Sequence, residues 1–210
     1  MGHRHPSEGP KVAAAGIQPH NTNMKTTLKK LHERQLLGGA DWNKLLSSLG
    51  KIEADDEPLT LLEVLDAIGF YDTLKCLRAI EDYEKEKRLL AVSFARRVQH
   101  LMKDPRSVDA LDVAERYANG EATDEELAAA DSAAHDAAWD AEASASRATA
   151  LGAAQAAATW AANSAAMEGA SNAALYAAEW AEGALAALDP ASERAAQEKL
   201  LREMLSSLTA

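Results

Sequence analysis

Alanine dominates the second half of the chain and limits its possible folds more than any other sequence feature. It accounts for 34 of the 82 residues from position 108 to position 189. Alanine loses no rotamer freedom in a helix and has the highest helix propensity. Its small side chain also lets packed helix axes approach the short end of their usual range of roughly 8–10 Å. The composition therefore predicts a bundle of closely packed α-helices.

Helix start signals recur along this half of the chain. Asp104 and Asp189 each precede a proline, which is the pattern of an N-cap followed by a first-turn proline. Thr123 and Glu126 have the spacing of a capping box, in which each side chain accepts a hydrogen bond from the other residue's backbone N–H. These signals predict helices over residues 123–147, 152–167 and 171–188, and a last helix from position 190.

The first half is helical by its apolar spacing. Leu90, Phe94, Val98 and Leu101 recur on one helical face and predict a helix over residues 84–102. No stretch shows the alternation typical of strands, and the low aromatic content argues against a β-sandwich or barrel. The predicted fold class is all-α. The outer face of the long helix is expected to carry five basic residues: Lys85, Lys87, Arg88, Arg96 and Arg97.

Net charge divides the chain at the same place as alanine. Residues 1–23 and 24–107 each have a balance of +1, whereas residues 108–210 hold 18 acidic and 5 basic side chains, a balance of −13. The first 23 residues show no periodicity. We therefore predict a disordered leader over residues 1–23, a mixed-charge helical domain over 24–103 and an alanine-rich acidic helical domain over 104–210.

Three tryptophans punctuate the alanine-rich half. Trp139, Trp160 and Trp180 are 21 and 20 residues apart, about one helix plus a turn, so three successive helices would place their indoles in one layer. Because alanine buries little apolar area, we expect these indoles to act as core anchors. A platform that stacks nucleic-acid bases would need interleaved basic residues. Arg147 is the only basic residue between Trp139 and Trp180, so we do not expect such a platform.

The sequence lacks the motifs that carry catalysis or hold a cofactor. It has no glycine-rich phosphate loop, no His-Glu-x-x-His and no paired cysteines. Cys76, the single cysteine, lies in an apolar helical context and is expected in the core. We expect no enzymatic activity, no cofactor and no metal. No apolar run approaches the roughly 20 residues of a membrane helix, so no membrane contact is expected, and one thiol fits a reducing cytoplasm.

Two charged surfaces are the candidate binding sites. The helices of the second half carry acidic side chains with few basic neighbours, which would suit a partner with a basic groove rather than DNA itself. An ordinary solvated acidic surface is the alternative. The acidic candidates are Asp124, Glu125, Asp131, Asp136, Asp140, Glu142, Glu168, Glu179 and Glu182. A secondary basic surface, suited to a nucleic acid or an acidic protein patch, comprises Lys29, Lys30, Arg34, Arg96 and Arg97.

Four segments resemble a group of small bacteriophage and mobile-element proteins. They are residues 54–59 (ADDEPL), 74–79 (LKCLRA), 95–102 (ARRVQHLM) and 114–127, which ends in GEATDEEL. In that group a helical tract rich in alanine and tryptophan follows, as it does here. The resemblance covers roughly residues 24–180 and is strongest over 95–130. The group includes an anti-CRISPR protein aimed at the type I-C surveillance complex.

The resemblance implies a non-enzymatic inhibitor of bacterial CRISPR–Cas immunity in the cytoplasm of an infected host. Inhibitors of this kind block either target DNA binding or nuclease recruitment. The acidic helices suit the first route, in which the partner is a surveillance-complex subunit whose basic DNA-binding surface they occupy, so that target DNA is excluded. The acidic domain itself would not bind DNA, and a monomer is expected. Two other hypotheses remain open: an acidic helical immunity protein that neutralises a toxin nuclease, and a structural helical phage protein without inhibitory activity. An enzyme is the most remote alternative.

Overall fold

The computed structural model describes residues 24–144, 150–167, 169–185 and 190–208. Within these ranges the chain is all-α, as predicted, and the proposed leader over residues 1–23 lies outside them. Two single turns of 3-10 helix lie at Leu77–Ala79 and Gln99–Leu101. The α-helices are α1 (Leu28–Glu33), α2 (Gly39–Ser48), α3 (Leu61–Ile68), α4 (Phe70–Cys76), α5 (Glu84–Arg96), α6 (Pro105–Ala118), α7 (Asp124–Ser144), α8 (Ala150–Ala166), α9 (Ala170–Leu185) and α10 (Pro190–Ser207).

A two-residue antiparallel ladder lies beside the first helices, where the sequence analysis expected no strand. Strand β1 (Lys25–Thr26) pairs with β2 (Leu59–Thr60) in the register Lys25 to Thr60 and Thr26 to Leu59. Two residues are too few to show the period-two alternation that identifies a strand in a sequence. Thr60 then begins α3 through a capping box with Glu63.

The capping signals at Asp104 and Thr123 mark true helix starts, while the predicted cap at Asp189 lies outside the described residues. The Asp104 carboxylate accepts a hydrogen bond from the Arg106 backbone N–H at 2.9 Å, directly before α6. At the start of α7, Thr123 and Glu126 form both hydrogen bonds of the predicted capping box, at 2.8 and 3.2 Å. The predicted helix over residues 84–102 is shorter than expected, because α5 ends at Arg96 and only a 3-10 turn follows.

The alanine-rich helices pack through their methyl groups. Helix α8 lies between α7 and α9, and alanine occupies most of the buried positions along both contacts. Backbones this close leave no volume between the helices for a large side chain, so each contact is narrow and contributes little apolar area. The fully or almost fully buried alanines include Ala134, Ala137 and Ala138 of α7, Ala158, Ala161, Ala162 and Ala165 of α8, and Ala173, Ala177, Ala178 and Ala181 of α9.

The described side chains on the two sides of residue 103, the predicted domain boundary, share one core. Buried residues from Met24 to Leu205 form a single cluster, and α5 packs along α6, α8 and α9. Polar contacts cross the same boundary. Arg97 after α5 pairs with the buried Glu193 of α10 at 2.7 Å, and Arg202 of α10 pairs with Asp66 of α3 at 2.7 Å. The change in composition near residue 103 is therefore bridged by packing.

Two of the five basic residues expected on the outer face of α5 are buried, which corrects that expectation. Lys87 donates to the Ile80 carbonyl at 2.6 Å and pairs with Glu84 at 2.7 Å. Arg88 donates to the carbonyls of Ala165 and Met167 at the C-terminal end of α8. The Arg88 guanidinium thus donates hydrogen bonds to carbonyls that lack a donor in their own helix. The negative C-terminal end of the helix dipole also stabilises its positive charge.

Because the halves share a core, we predict that truncating one side chain in the first half destabilises the whole molecule. Phe94 is fully buried and its ring lies 5.8 Å from that of Phe70. Phe94→Ala should lower the free energy of unfolding by about 3–5 kcal/mol, the usual cost of deleting a buried phenylalanine. Urea unfolding followed by circular dichroism and by tryptophan fluorescence measures this change.

Ile52→Ala is the matched control, because Ile52 is 95% exposed and its truncation should change stability by less than about 0.5 kcal/mol. Three of the four tryptophans lie in α7, α8 and α9, so their fluorescence reports the second half. A fluorescence transition that keeps its midpoint in Phe94→Ala, while the helical signal shifts, would contradict a shared core.

Candidate protein-binding surfaces

Four of the nine acidic candidates are exposed and form no ion pair with a described residue. Asp124, Glu125 and Asp136 lie on α7, and Glu179 lies on α9. Asp124 accepts a hydrogen bond from the Tyr117 hydroxyl at 2.7 Å, which leaves its charge uncompensated. Glu125 and Asp136 are eleven residues apart, about three helical turns, so both lie on one side of α7. We call these four residues the unpaired acidic set.

Two acidic candidates are neutralised by arginines. Asp140 pairs with Arg106 at 2.7 Å and remains exposed. Glu182 pairs with Arg194 at 2.5 Å and accepts a hydrogen bond from the Tyr71 hydroxyl. Burial alone would raise the pKa of Glu182, but the Arg194 guanidinium and the Tyr71 hydroxyl outweigh it and lower the pKa. Glu182 therefore joins α9 to the first half of the chain and offers less negative charge to a partner.

The remaining acidic candidates contribute little to an exposed acidic surface. Asp131 is partly buried and accepts a hydrogen bond from the Asn163 amide at 2.8 Å, and burial raises its pKa. Glu142 is partly buried and accepts a hydrogen bond from the Trp160 indole at 3.3 Å. Glu168 lies outside the described residues. The expected acidic surface is thus reduced to the unpaired acidic set and the partly compensated Asp140.

All five residues of the candidate basic surface are paired with carboxylates. Lys29 pairs with Asp56 at 3.1 Å, and Lys30 and Arg34 share Glu81 at 3.1 and 2.8 Å. Near the end of α5, Arg96 pairs with Asp112 and Glu115, while Arg97 pairs with Glu193. Pairing cancels most of the field that would attract a polyanion. The structure therefore gives this surface much less free charge than the sequence suggested.

The three tryptophans form a continuous row across α7, α8 and α9, which confirms the predicted shared layer. Trp139 meets Trp160 edge to face with centroids 6.0 Å apart, and Trp160 stacks on Trp180 at 5.9 Å. Their expected role as core anchors is wrong, because Trp139 is 56% exposed and Trp180 is 41% exposed. The alanine contacts hold the helices too close for indoles, so the rings lie outside the helix interface. We call these residues the tryptophan row.

Sequence reasoning missed an open cleft of about 330 Å³ beside the tryptophan row. Its lining includes Trp160, Trp180, Tyr176, Met167 and Glu142, and we call it the aromatic cleft. Tyr176 is 41% exposed and precedes Trp180 by one helical turn. The i, i+4 spacing of two aromatic residues was the available signal, but it does not tell whether they face the core or solvent.

Cys76 and His135 each hold a structural position in the fold. Cys76 is fully buried, as predicted, and burial raises its pKa to about 12. His135 accepts a hydrogen bond from the Trp139 indole at 2.8 Å. In the described part of the chain, no group of three or more His, Cys, Asp or Glu side chains is arranged to hold a metal ion. None of the described helices combines the length and apolar character needed to cross a membrane.

Comparison with known proteins adds no relative: no family model, curated protein or solved structure matches this chain.

Because Cys76 is buried, we predict that its thiol is unreactive in the folded chain. The folded chain should not react with a disulfide reagent at about pH 8, because only the thiolate is nucleophilic and the raised pKa keeps the thiol protonated. In guanidinium chloride one thiol per chain should react rapidly. Absorbance of the released thiolate measures both rates, and fast labelling of the folded chain would contradict the buried position.

Proposed function

We propose that this chain is a non-enzymatic inhibitor of bacterial CRISPR–Cas immunity, which binds the type I-C surveillance complex and blocks target DNA binding. The choice of target follows from the sequence resemblance. The observation that carries the binding mode is the unpaired acidic set, whose exposed carboxylates on α7 and α9 form no ion pair with a described residue.

The charge balance of the two halves supports binding through the acidic helices rather than the basic residues. The five basic candidates all pair with carboxylates of the same chain. The unpaired acidic set, by contrast, still projects its negative potential into solvent. A basic groove that accepts DNA would be attracted to that potential, and long-range attraction raises the rate of encounter.

The resemblance to DNA lies in the sign of the charge and not in its density. Glu125 and Asp136 lie about 16 Å apart along α7 at 1.5 Å per residue. Duplex DNA carries one phosphate charge per about 1.7 Å of its axis. A surface with so few carboxylates neutralises fewer basic residues of the groove, so shape and apolar contacts must supply part of the affinity.

We predict that reversing the unpaired charges weakens inhibition. The triple variant Glu125→Lys, Asp136→Lys and Glu179→Lys should raise the concentration needed for half-inhibition at least about tenfold, because attraction becomes repulsion at three exposed positions. The assay is a gel shift of a labelled target duplex by the purified type I-C surveillance complex, with increasing amounts of the chain. Circular dichroism of the variant verifies that helix content is unchanged.

The matched control reverses three acidic residues of the first half: Glu33→Lys, Glu53→Lys and Asp82→Lys. These residues are likewise exposed, and none forms an ion pair with a described residue. Both variants change the net charge equally, so a general charge effect would weaken both alike. Equal loss in the two variants, or no inhibition by the unaltered chain, would refute the proposal. Inhibition of a toxin nuclease instead would favour the immunity-protein hypothesis.

Salt dependence gives a second prediction. Raising the salt from about 0.1 to about 0.5 M shortens the screening length from about 10 Å to about 4 Å. The dissociation constant of the complex should rise at least about tenfold, because exposed charges attract each other only within that length. Calorimetry or surface plasmon resonance measures the change. A dissociation constant that stays constant over this range would contradict recognition by charge.

A further inference from the structure

Large apolar side chains are exposed together at one place in the second half of the chain. Among the described residues, four large apolar side chains are strongly exposed: Ile52, Trp139, Tyr176 and Trp180. Ile52 lies in the first half, whereas the other three lie on α7 and α9 beside the partly buried Trp160. We call Trp139, Tyr176 and Trp180 the aromatic patch. Exposed apolar area gathered in one patch is typical of a surface that another macromolecule covers.

Ring contacts join the members of the aromatic patch into one surface. The Trp160 ring lies 6.0 Å from that of Trp139 and 5.9 Å from that of Trp180, so it connects α7 with α9. Tyr176 precedes Trp180 by one turn of α9, and both line the aromatic cleft. Because these contacts restrict the rings before anything binds, a partner that covers them loses little side-chain entropy.

Two of the indole N–H groups are already bonded within the chain. Trp139 donates to His135 at 2.8 Å, and Trp160 donates to Glu142 at 3.3 Å. A partner can therefore cover these rings without leaving their polar atoms unsatisfied, which would otherwise cost free energy. What the rings of Trp139 and Trp160 present to the partner is mainly apolar surface.

Two members of the unpaired acidic set flank the aromatic patch. Asp136 precedes Trp139 by three residues on α7, and Glu179 follows Tyr176 by three residues on α9. Residues three apart are neighbours on a helix surface. Both carboxylates are exposed and form no ion pair with a described residue. An apolar centre with a polar border is the usual anatomy of a protein–protein interface.

The charge at the border distinguishes between possible partners. In a two-fold dimer through this patch, the carboxylates of Asp136 and Glu179 from both copies would enter one interface, where like charges repel. A nucleic acid would meet the same negative border with its phosphates. A protein that carries lysines and arginines around an apolar area is complementary to the patch in both charge and polarity.

We infer that the aromatic patch is the apolar centre of the surface through which the chain binds a basic protein. Apolar side chains of the partner cover the rings, and its lysines and arginines meet Asp136 and Glu179. The inference rests on the proposed function for the identity of the partner, and it deepens that function by separating two roles. Aromatic residues at an interface centre hold the complex together, whereas charges at the border mainly accelerate encounter.

Binding kinetics test these two roles, measured by surface plasmon resonance on immobilised type I-C surveillance complex. Trp139→Ala and Trp180→Ala should each raise the dissociation rate about tenfold and leave the association rate within about twofold, because they remove apolar contacts and no charge. The charge variant Glu125→Lys, Asp136→Lys and Glu179→Lys should instead lower mainly the association rate.

The matched control is Ile52→Ala, which removes an exposed apolar side chain outside the patch and should change neither rate. The truncated rings are exposed, so helix content measured by circular dichroism should be unchanged. Trp180→Phe keeps an aromatic ring and should recover part of the lost binding. Dissociation rates within about twofold of the unaltered chain in both Trp139→Ala and Trp180→Ala would overturn the inference.

A second probe tests the patch without the surveillance complex. It is a capped helical peptide of leucine and lysine, with the leucines on one face, added to the ¹⁵N-labelled full-length chain. The indole N–H signals, assigned from single Trp→Phe variants, should shift and saturate for Trp139 and Trp180. The Trp42 signal should stay in place, because Trp42 packs on His32 in the first half. A peptide with serine in place of leucine should bind at least about fivefold more weakly.

Sedimentation velocity of the chain alone tests the competing occupant. We expect the unaltered chain and Trp180→Ala to sediment alike. A dimer of the unaltered chain that dissociates in Trp180→Ala would assign the patch to a second copy and overturn the inference.

The outcomes separate this inference from the proposed function. If both alanine variants keep the dissociation rate of the unaltered chain while the complex is still inhibited, the patch is not the interface centre and the proposed function stands. If the complex is not bound but the leucine–lysine peptide binds at the patch, the proposed function fails and the partner is a different basic protein. If neither binds, both are wrong.

Discussion

The close approach of α7, α8 and α9 through alanine is the constraint on which the rest of the second half depends. Helices that meet through methyl groups leave no space for large side chains between them. The indoles are therefore displaced to the outside, where Trp139 and Trp180 remain largely exposed. The alanine composition therefore determines both how the helices pack and where the aromatic rings are exposed.

The two halves of the chain differ in how many of their exposed charges are paired. Most basic residues of the first half pair with carboxylates, and Arg97 pairs with the buried Glu193 of the second half. Few cations are left for α7 and α9, and the unpaired acidic set remains exposed there without an ion pair to a described residue. A negative surface suits a basic protein partner, and the proposed inhibitor relies on that surface.

Sequence reasoning recovered the features that depend on local physics. Capping, first-turn prolines and the helical spacing of apolar residues depend on residues within one or two turns. The capping box of Thr123 and Glu126 was therefore recognisable in the sequence. Sequence reasoning failed where the outcome depends on contacts between residues that are distant in sequence. Lys87 and Arg88 resemble solvated residues until the carbonyls that they bind are known, and the exposure of Trp180 depends on how near α8 approaches. The acidic surface was overestimated because partners such as Arg194 are distant in sequence from some candidates.

Arg88 also bears on how the chain could be inherited. Its guanidinium, on α5, satisfies carbonyls at the end of α8, so each half supplies groups that the other leaves incomplete. If recombination exchanged one half between genomes, one product would keep the buried Arg88 without its carbonyl acceptors. The other product would keep those carbonyls without a donor. The two halves differ in composition as separate modules would, yet they share one core, so we expect them to diverge together.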